Sequence, residues 1–123
     1  MNINEDWERK MNITEKEHNG VVVFTLEGRI DTQGAVDLDL ALQTSATEGH
    51  NQMVLDMAEV KYINSSALRT LADIVTQNRD NGGDLKLAAL SQKVKRVFEI
   101  IGFDNFFEIY ENIDSAVAAF KAG

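Results

Sequence analysis

The chain of 123 residues contains no cysteine and no proline. Without cysteine there is no disulfide framework and no thiolate metal site, so nothing points to an oxidising compartment. Without proline, we expect short connections punctuated by glycine and no stiff linker. No apolar run approaches the roughly 20 residues of a membrane span, which predicts that the chain does not insert into a membrane.

Basic residues are also few. The chain has 12 basic and 20 acidic residues, and its net charge is -8. This balance argues against nucleic-acid backbones or anionic membranes as main partners. The acidic N-terminus lacks the basic and apolar regions of a signal peptide. With 44% apolar and 26% charged residues, the composition is typical of one globular domain. We therefore expect a cytoplasmic protein that binds other proteins.

The familiar catalytic motifs are absent from the sequence as well. No Gly-x-x-x-x-Gly-Lys or Gly-x-Gly-x-x-Gly phosphate loop occurs, and no Gly-x-Ser-x-Gly nucleophile elbow. The two histidines, His18 and His50, lie in predicted turns with no carboxylate at a diagnostic spacing, so neither a Ser-His site nor a transition-metal site is expected. The sequence predicts no enzyme, no cofactor and no metal. A catalytic or small-ligand function would need a pocket lined by His50 or Asp56.

Alternating strand and helix patterns fill the chain from residue 11 onwards. Val21 to Leu26 is the strongest β signal, and a weaker strand over 11–17 precedes it across His18-Asn19-Gly20, which predicts an antiparallel hairpin. Further patterns predict helices over 33–46 and 112–122, one opening at Asn64 and one between Ser91 and Gly102, with strands over 53–57, 85–88 and 106–110.

This order of elements predicts a single α/β domain. Its sheet should be mixed but mostly parallel, with an antiparallel hairpin strand at the N-terminus and crossover helices. The short strand Met53 to Met57 looks buried and should lie centrally, because the central strands of a parallel sheet are rich in apolar residues. We assign residues 11–123 to this domain and residues 1–10, with Trp7, to an N-terminal extension.

One stretch, Ile63-Asn64-Ser65-Ser66-Ala67-Leu68, follows a strand and opens an amphipathic helix. Asparagine and serine are favoured helix N-caps, because their side-chain oxygens accept hydrogen bonds from unpaired N–H groups of the first turn. One such residue is enough for capping, and this stretch has three in a row. From the residues alone, a capping role and a chemical role for the serines both remain open.

The chain resembles the STAS family in the order of five short segments. They are Gly28-x-Ile30-Asp31, Val54-Leu55-Asp56, Ile63 to Leu68, Gly82-Gly83 and Val94-Lys95-Arg96-Val97-Phe98. Within that family the chain is most similar to the bacterial anti-sigma factor antagonists, over about residues 11–122. The resemblance implies a protein that binds an anti-sigma factor, which is also a serine kinase, and so releases a sigma factor. It also implies that phosphorylation of the second serine of an Asp-Ser-Ser-Gly-Leu motif, here Ser66, ends binding until a serine phosphatase resets it.

The resemblance further implies a partner-binding surface at Asp31, Asn64, Ser65 and Ala67. Two of these positions depart from the family pattern, since Asn64 replaces an aspartate and Ala67 a glycine. The first change removes a charge beside the acceptor, and the second stiffens the turn because alanine favours helix over glycine by roughly 1 kcal/mol. A STAS scaffold subunit of a stress-signalling or lipid-transport complex is the alternative function, and a weak homodimer is left open.

Overall fold

The computed structural model describes residues 11–122, and the side chains of residues 11–120. The N-terminal extension predicted for residues 1–10, with Trp7, lies outside this range. Strand β1 (Asn12–His18) pairs antiparallel with β2 (Val21–Ile30), from Asn12 opposite Glu27 to His18 opposite Val21. Asn19 and Gly20 join them with φ angles of 53° and 86°, the left-handed backbone of a tight Asn-Gly hairpin turn. The predicted hairpin is therefore confirmed.

The rest of the described chain alternates helix and strand. The elements are α1 (Thr32–Thr47), β3 (Gln52–Ile63), α2 (Ser65–Asp80), β4 (Asp84–Ala88), α3 (Gln92–Ile101), β5 (Glu108–Tyr110) and α4 (Ile113–Ala122). The five strands lie in the order β1-β2-β3-β4-β5, and every pair after the first is parallel. This architecture confirms the predicted single α/β domain with a mixed, mostly parallel sheet.

The helices divide unequally between the two faces of the sheet. On one face, Leu38 of α1, Leu71 of α2 and Phe98 of α3 share a core with the inward side chains of the strands, among them Phe24 and Leu55. On the other face, α4 covers a smaller cluster of Val21, Val23, Val54, Ala88 and Ala116. Alternate residues of β2 and β3 serve the two cores, as the period of a strand requires.

Strands β2 and β3 are longer than the sequence predicts. The predictions ended β2 at Leu26 and β3 at Met57, whereas the strands continue to Ile30 and Ile63. The expectation that β3 is central is confirmed, but the expectation that it is short is wrong. Its distal half extends past β4, whose last paired residue lies opposite Asp56. Because that half pairs with β2 alone, part of it is exposed to solvent. Its exposed residues include polar ones, so it does not show the apolar pattern of a buried strand.

Two irregularities in the pairing of β2 with β3 explain the missed extension. The register shifts between Thr25 and Glu27 and again between Gly28 and Arg29, and each shift breaks the period-two alternation by which strands are read. The Asp56 side chain supports the first, because its Oδ1 accepts a hydrogen bond from the Ala58 N–H at 3.1 Å. Gly28 supports the second with a φ of 114°, which side-chain-bearing residues rarely adopt.

The last strand begins later than predicted. The prediction placed Phe106 and Phe107 in β5, but the strand covers only Glu108 to Tyr110. The Phe107 ring is buried and meets Phe98 edge-to-face at a centroid distance of 5.4 Å. Two adjacent aromatic residues look like a strand in the sequence, yet here they pack a turn against the end of α3.

Among the described residues, no helix is long and apolar enough to cross a membrane.

Candidate functional site

The chain brings two helix N-termini together at one end of the sheet. Strands β2 and β3 are parallel and end in register, with Ile30 opposite Ile63. Helix α1 therefore begins beside helix α2. The Asn64 N–H donates to the Ile30 carbonyl at 3.1 Å, so the backbone itself joins the two strand ends.

Each helix is capped in the same way. The Asp31 Oδ1 accepts from the Gly34 N–H at 2.9 Å, and the Asn64 Oδ1 accepts from the Ala67 N–H, also at 2.9 Å. In both cases the cap residue reaches the third helical residue. A Cβ at Gly34 would lie 2.8 Å from the Arg29 carbonyl oxygen, so α1 packs closely against the end of β2. Asn64 is therefore the residue that caps α2. The sequence had left this role open among Asn64, Ser65 and Ser66.

Ser65 and Ser66 are the first two residues of α2, and both are exposed. Within the described part of the chain, neither hydroxyl has a hydrogen-bond partner. The N–H groups of a first helical turn have no partner inside the helix, and the helix dipole places partial positive charge there. The two hydroxyls are thus free, beside groups that favour an anion.

Ala67 differs from its neighbours because its side chain is fully buried in the larger core. Its N–H is already taken by the cap. Asp31 and Asn64 are part-exposed. Of the predicted site residues, Asp31, Asn64, Ser65 and Ser66 therefore reach the surface at one end of the sheet, while Ala67 lies beneath them.

Three side chains at this end did not figure among the predicted site residues. The Thr32 Oγ1 lies 3.3 Å from the Asn64 Nδ2, which donates to it across the gap between the two helices. The Arg29 guanidinium lies over the Tyr62 ring, 4.4 Å from its centroid. The parallel pairing of β2 with β3 is what brings them together, because it sets Arg29 opposite Tyr62. It also places Thr32, after β2, beside Asn64, after β3.

The charge around the serines is mixed, although the whole chain is acidic. Arg29 and Arg69 are exposed, and Lys61 lies 3.8 Å from Glu59 on the distal part of β3. Arg69 follows Ser66 by three residues, which puts the two side chains on the same side of α2. A cationic side chain is therefore a neighbour of Ser66 on the surface of α2.

A cavity beside the middle of β3 and the end of β4 bears on the alternative of a small-ligand site. It has a volume of about 360 Å³, opens widely to solvent and is lined by Asp56, Ala58, Ala89, Asn112, Ile113 and Asp114. Two of its polar side chains are engaged, since Asp56 accepts from the Ala58 N–H and Asn112 accepts from the Ser115 N–H at 2.8 Å. His50 is not part of it. No group of three or more metal-ligating side chains occurs among the described residues.

Comparison with known proteins identifies the family. Residues 12–116 match the model of the STAS domain, so the chain belongs to the STAS domain family. BtrV of Bordetella bronchiseptica, whose name assigns it provisionally to the anti-sigma factor antagonists, is 32% identical over 111 residues, covering 90% of this chain and 96% of BtrV. The family assignment made from the sequence is confirmed.

Solved structures show the same fold. An anti-sigma factor antagonist from Mycobacterium paratuberculosis superimposes with a TM-score of 0.82 at 24% identity, covering 90% of this chain and 94% of the other. The anti-sigma factor antagonist SpoIIAA in its unphosphorylated form gives a TM-score of 0.79 at 15% identity, with coverages of 91% and 98%. SpoIIAA from Bacillus has also been solved in a phosphorylated form, with a TM-score of 0.70 at 14% identity and coverages of 89% and 99%. At these identities the likeness shows the fold alone.

Proposed function

We propose that the protein is an anti-sigma factor antagonist controlled by phosphorylation of Ser66. In its unphosphorylated form it binds an anti-sigma factor that is also a serine kinase, and this binding releases a sigma factor. The kinase phosphorylates Ser66, the complex dissociates, and a serine phosphatase restores the binding form. The cycle takes place in the cytoplasm, and the protein acts by binding, with no catalysis and no cofactor of its own.

One observation carries this proposal: the Ser66 hydroxyl is exposed at the start of α2 and has no hydrogen-bond partner among residues 11–120, because Asn64 provides the cap. A kinase can therefore reach Ser66 without breaking the helix. The family relationship and the name of BtrV support the antagonist role. We propose Asp31, Asn64 and Ser65 as direct contacts of the partner, with Ala67 supporting the turn from the core.

A phosphate on Ser66 should act on the partner more than on the fold. It adds about -1.5 to -2 charges at pH 7, at a helix N-terminus where negative charge is favourable. A like charge of the partner at about 5 Å and an effective dielectric of about 20 would cost roughly 3 kcal/mol. That penalty weakens binding on the order of 100-fold.

The test compares Ser66→Asp with Ser66→Ala. We expect Ser66→Asp to melt at or slightly above the wild-type temperature and to bind the anti-sigma factor weakly. Ser66→Ala should bind persistently and resist phosphorylation. Both are measured by thermal melts and by titration calorimetry against the host's candidate anti-sigma kinases.

Ser115→Asp is the matched control, because Ser115 is also exposed in the first turn of a helix but lies outside the proposed partner contacts; we expect it to bind the anti-sigma factor as the wild type does. Mass mapping after incubation with each kinase and ATP locates the phosphate. Phosphate on Ser65 would move the switch by one residue, and unfolding of Ser66→Asp would contradict the physical account. If no kinase transfers phosphate, a STAS scaffold subunit of a stress-signalling or lipid-transport complex becomes the better interpretation.

A further inference from the structure

The two polar atoms of the Asn64 side chain form hydrogen bonds to two different helices. Its Oδ1 accepts from the Ala67 N–H in α2 at 2.9 Å, while its Nδ2 donates to the Thr32 Oγ1 in α1 at 3.3 Å. We name the second contact the Asn64/Thr32 bridge. It joins the N-cap of α2 to the first residue of α1 across this end of the sheet.

Thr32 directly follows Asp31, which caps α1 through the Gly34 N–H at 2.9 Å. A continuous path therefore leads from the cap of α2 through Asn64 and Thr32 to the cap of α1. The backbone bond from Asn64 to the Ile30 carbonyl fixes the strand ends, whereas the bridge fixes the first helical turns that follow them. The two caps are therefore connected by a side-chain bond as well as by the backbone.

We propose that the Asn64/Thr32 bridge is a positioning element. It fixes the position of Asp31, the cap of α1, relative to Ser66 in the first turn of α2. Thr32 acts through Asn64 and needs no contact with the partner. The inference rests on the proposed function in one respect: a partner that reads Asp31 and Ser66 together binds more tightly when their relation is set before binding. A hydrogen bond contributes roughly 0.5 to 1.5 kcal/mol, so the bridge should change local opening or affinity by about two- to tenfold.

The first experiment needs no partner and uses the full chain. Hydrogen exchange at the Ala67 N–H is followed by NMR in the wild type, in Thr32→Val, which removes the hydroxyl, and in Thr32→Ser, which keeps it. We expect exchange at Ala67 to be about two- to tenfold faster in Thr32→Val and close to wild type in Thr32→Ser. Thr32 lies in α1 and has no hydrogen bond to Ala67, so a purely local role for Thr32 would leave this amide unchanged.

Asn64→Ser tests the bridge from the other side, because serine retains a capping oxygen but has no amide to reach Thr32. We expect exchange at the Gly34 N–H, the amide of α1 that Asp31 caps, to be about two- to tenfold faster in Asn64→Ser than in the wild type. If Thr32→Val folds with wild-type stability and leaves Ala67 exchange unchanged, the bridge does not couple the two caps and the proposal is overturned.

The second experiment measures the consequence for binding. In the Ser66→Ala background, which removes the phosphate acceptor, Thr32→Val should weaken binding to the anti-sigma factor by about two- to tenfold, while Thr32→Ser should not. Equal affinity of the two Thr32 variants would overturn the positioning role. If Ser66→Ala itself binds no anti-sigma factor, the proposed function fails, and the exchange measurement still decides whether the bridge couples the caps.

Discussion

Lys86 shows at the scale of one residue how a charge is accommodated in this core. It lies on β4 with only 6% of its surface exposed. Its Nζ lies 3.2 Å from the Asp84 Oδ2, 2.8 Å from the Glu108 Oε1 and 4.6 Å from the centre of the Phe120 ring. Burial by itself lowers the pKa of Lys86, but the hydrogen bonds to Glu108 and Asp84 outweigh it, and the pKa is raised above its ordinary value. The ammonium therefore stays charged.

We predict that Lys86→Met lowers the free energy of unfolding by about 2 kcal/mol and Lys86→Ala by about 3 kcal/mol, measured by urea denaturation. Methionine retains most of the buried stem, so the difference between the variants reports packing, and the Met variant reports the lost cation. Asp84 retains Arg79 as a partner at 2.9 Å, so Lys86→Met should lose less than the roughly 3 to 5 kcal/mol of a buried pair left with an uncompensated charge.

Lys61→Met is the control for Lys86. Lys61 and Glu59 form a pair at 3.8 Å on the same sheet, with side chains 70% and 59% exposed. Exposed pairs contribute little because water and salt screen them, so the change should stay within about 0.5 kcal/mol. Equal effects of Lys61→Met and Lys86→Met would show that burial does not decide the value of these charges.

At the scale of elements, α1 shows what an apolar pattern does and does not reveal. The sequence predicts this helix over 33–46, and it runs from Thr32 to Thr47. Its apolar residues do not all face the core, however. Leu38 and Leu42 are fully buried, whereas Val36 and Leu40 are 58% and 68% exposed. Helical spacing predicts that a helix forms, but the position of the neighbouring α2 decides which apolar side chains it buries.

We predict opposite outcomes for two leucines of this helix that are two residues apart. Leu38→Ala should destabilise the domain by about 2 to 5 kcal/mol, because it leaves a cavity in the core. Leu40→Ala should change stability by less than about 0.5 kcal/mol, as exposed substitutions do. Chemical denaturation of both variants measures the contrast. A large loss for Leu40→Ala would show that something in the folded protein covers this face.

Strand β3 shows why part of the candidate site could not be predicted. Its core half, Met53 to Met57, is apolar apart from Asp56 and was found from the sequence. Its distal half contains Glu59 and Lys61, and its pairing with β2 contains two register shifts, so no simple period identifies it. That half carries Tyr62 and ends next to Asn64. The motif at Asn64 to Ala67 was recognisable, but the surroundings that Arg29, Thr32 and Tyr62 provide depend on pairing between residues about 30 positions apart.

At the scale of the whole molecule, the response of stability to pH follows from the Lys86 cluster. The hydrogen bonds from Lys86 and then Tyr110 lower the pKa of Glu108 below its ordinary value of 4.5. Because the folded pKa is the lower one, this contribution is fully present above about pH 4.5 and is lost as pH falls through the folded pKa. The pKa of Lys86 is raised above 10.5, so its contribution is present below that pH and is lost as pH rises through the folded pKa.

We therefore predict that this cluster contributes a constant amount to the free energy of unfolding across neutral pH. That contribution is lost at acidic pH and at strongly basic pH. Urea denaturation of the wild type should show stability falling below about pH 4.5, the ordinary pKa of Glu108. Glu108→Gln should lose less stability than the wild type as the pH is lowered through this range, because glutamine does not titrate. An unchanged acidic slope in Glu108→Gln would assign the fall to other carboxylates.

The sequence by itself determined the order of the elements, the mixed sheet and the serine turn as the candidate site. These features depend on local periodicity, on turn residues such as Asn19 and Gly20, and on a motif within six consecutive residues. The tertiary structure decided which residue caps α2, which serines remain free and which side chains surround them. These features depend on the parallel pairing of β2 with β3, which brings Thr32 to Asn64. Contacts between distant residues arise from packing, and no local pattern in the chain encodes them.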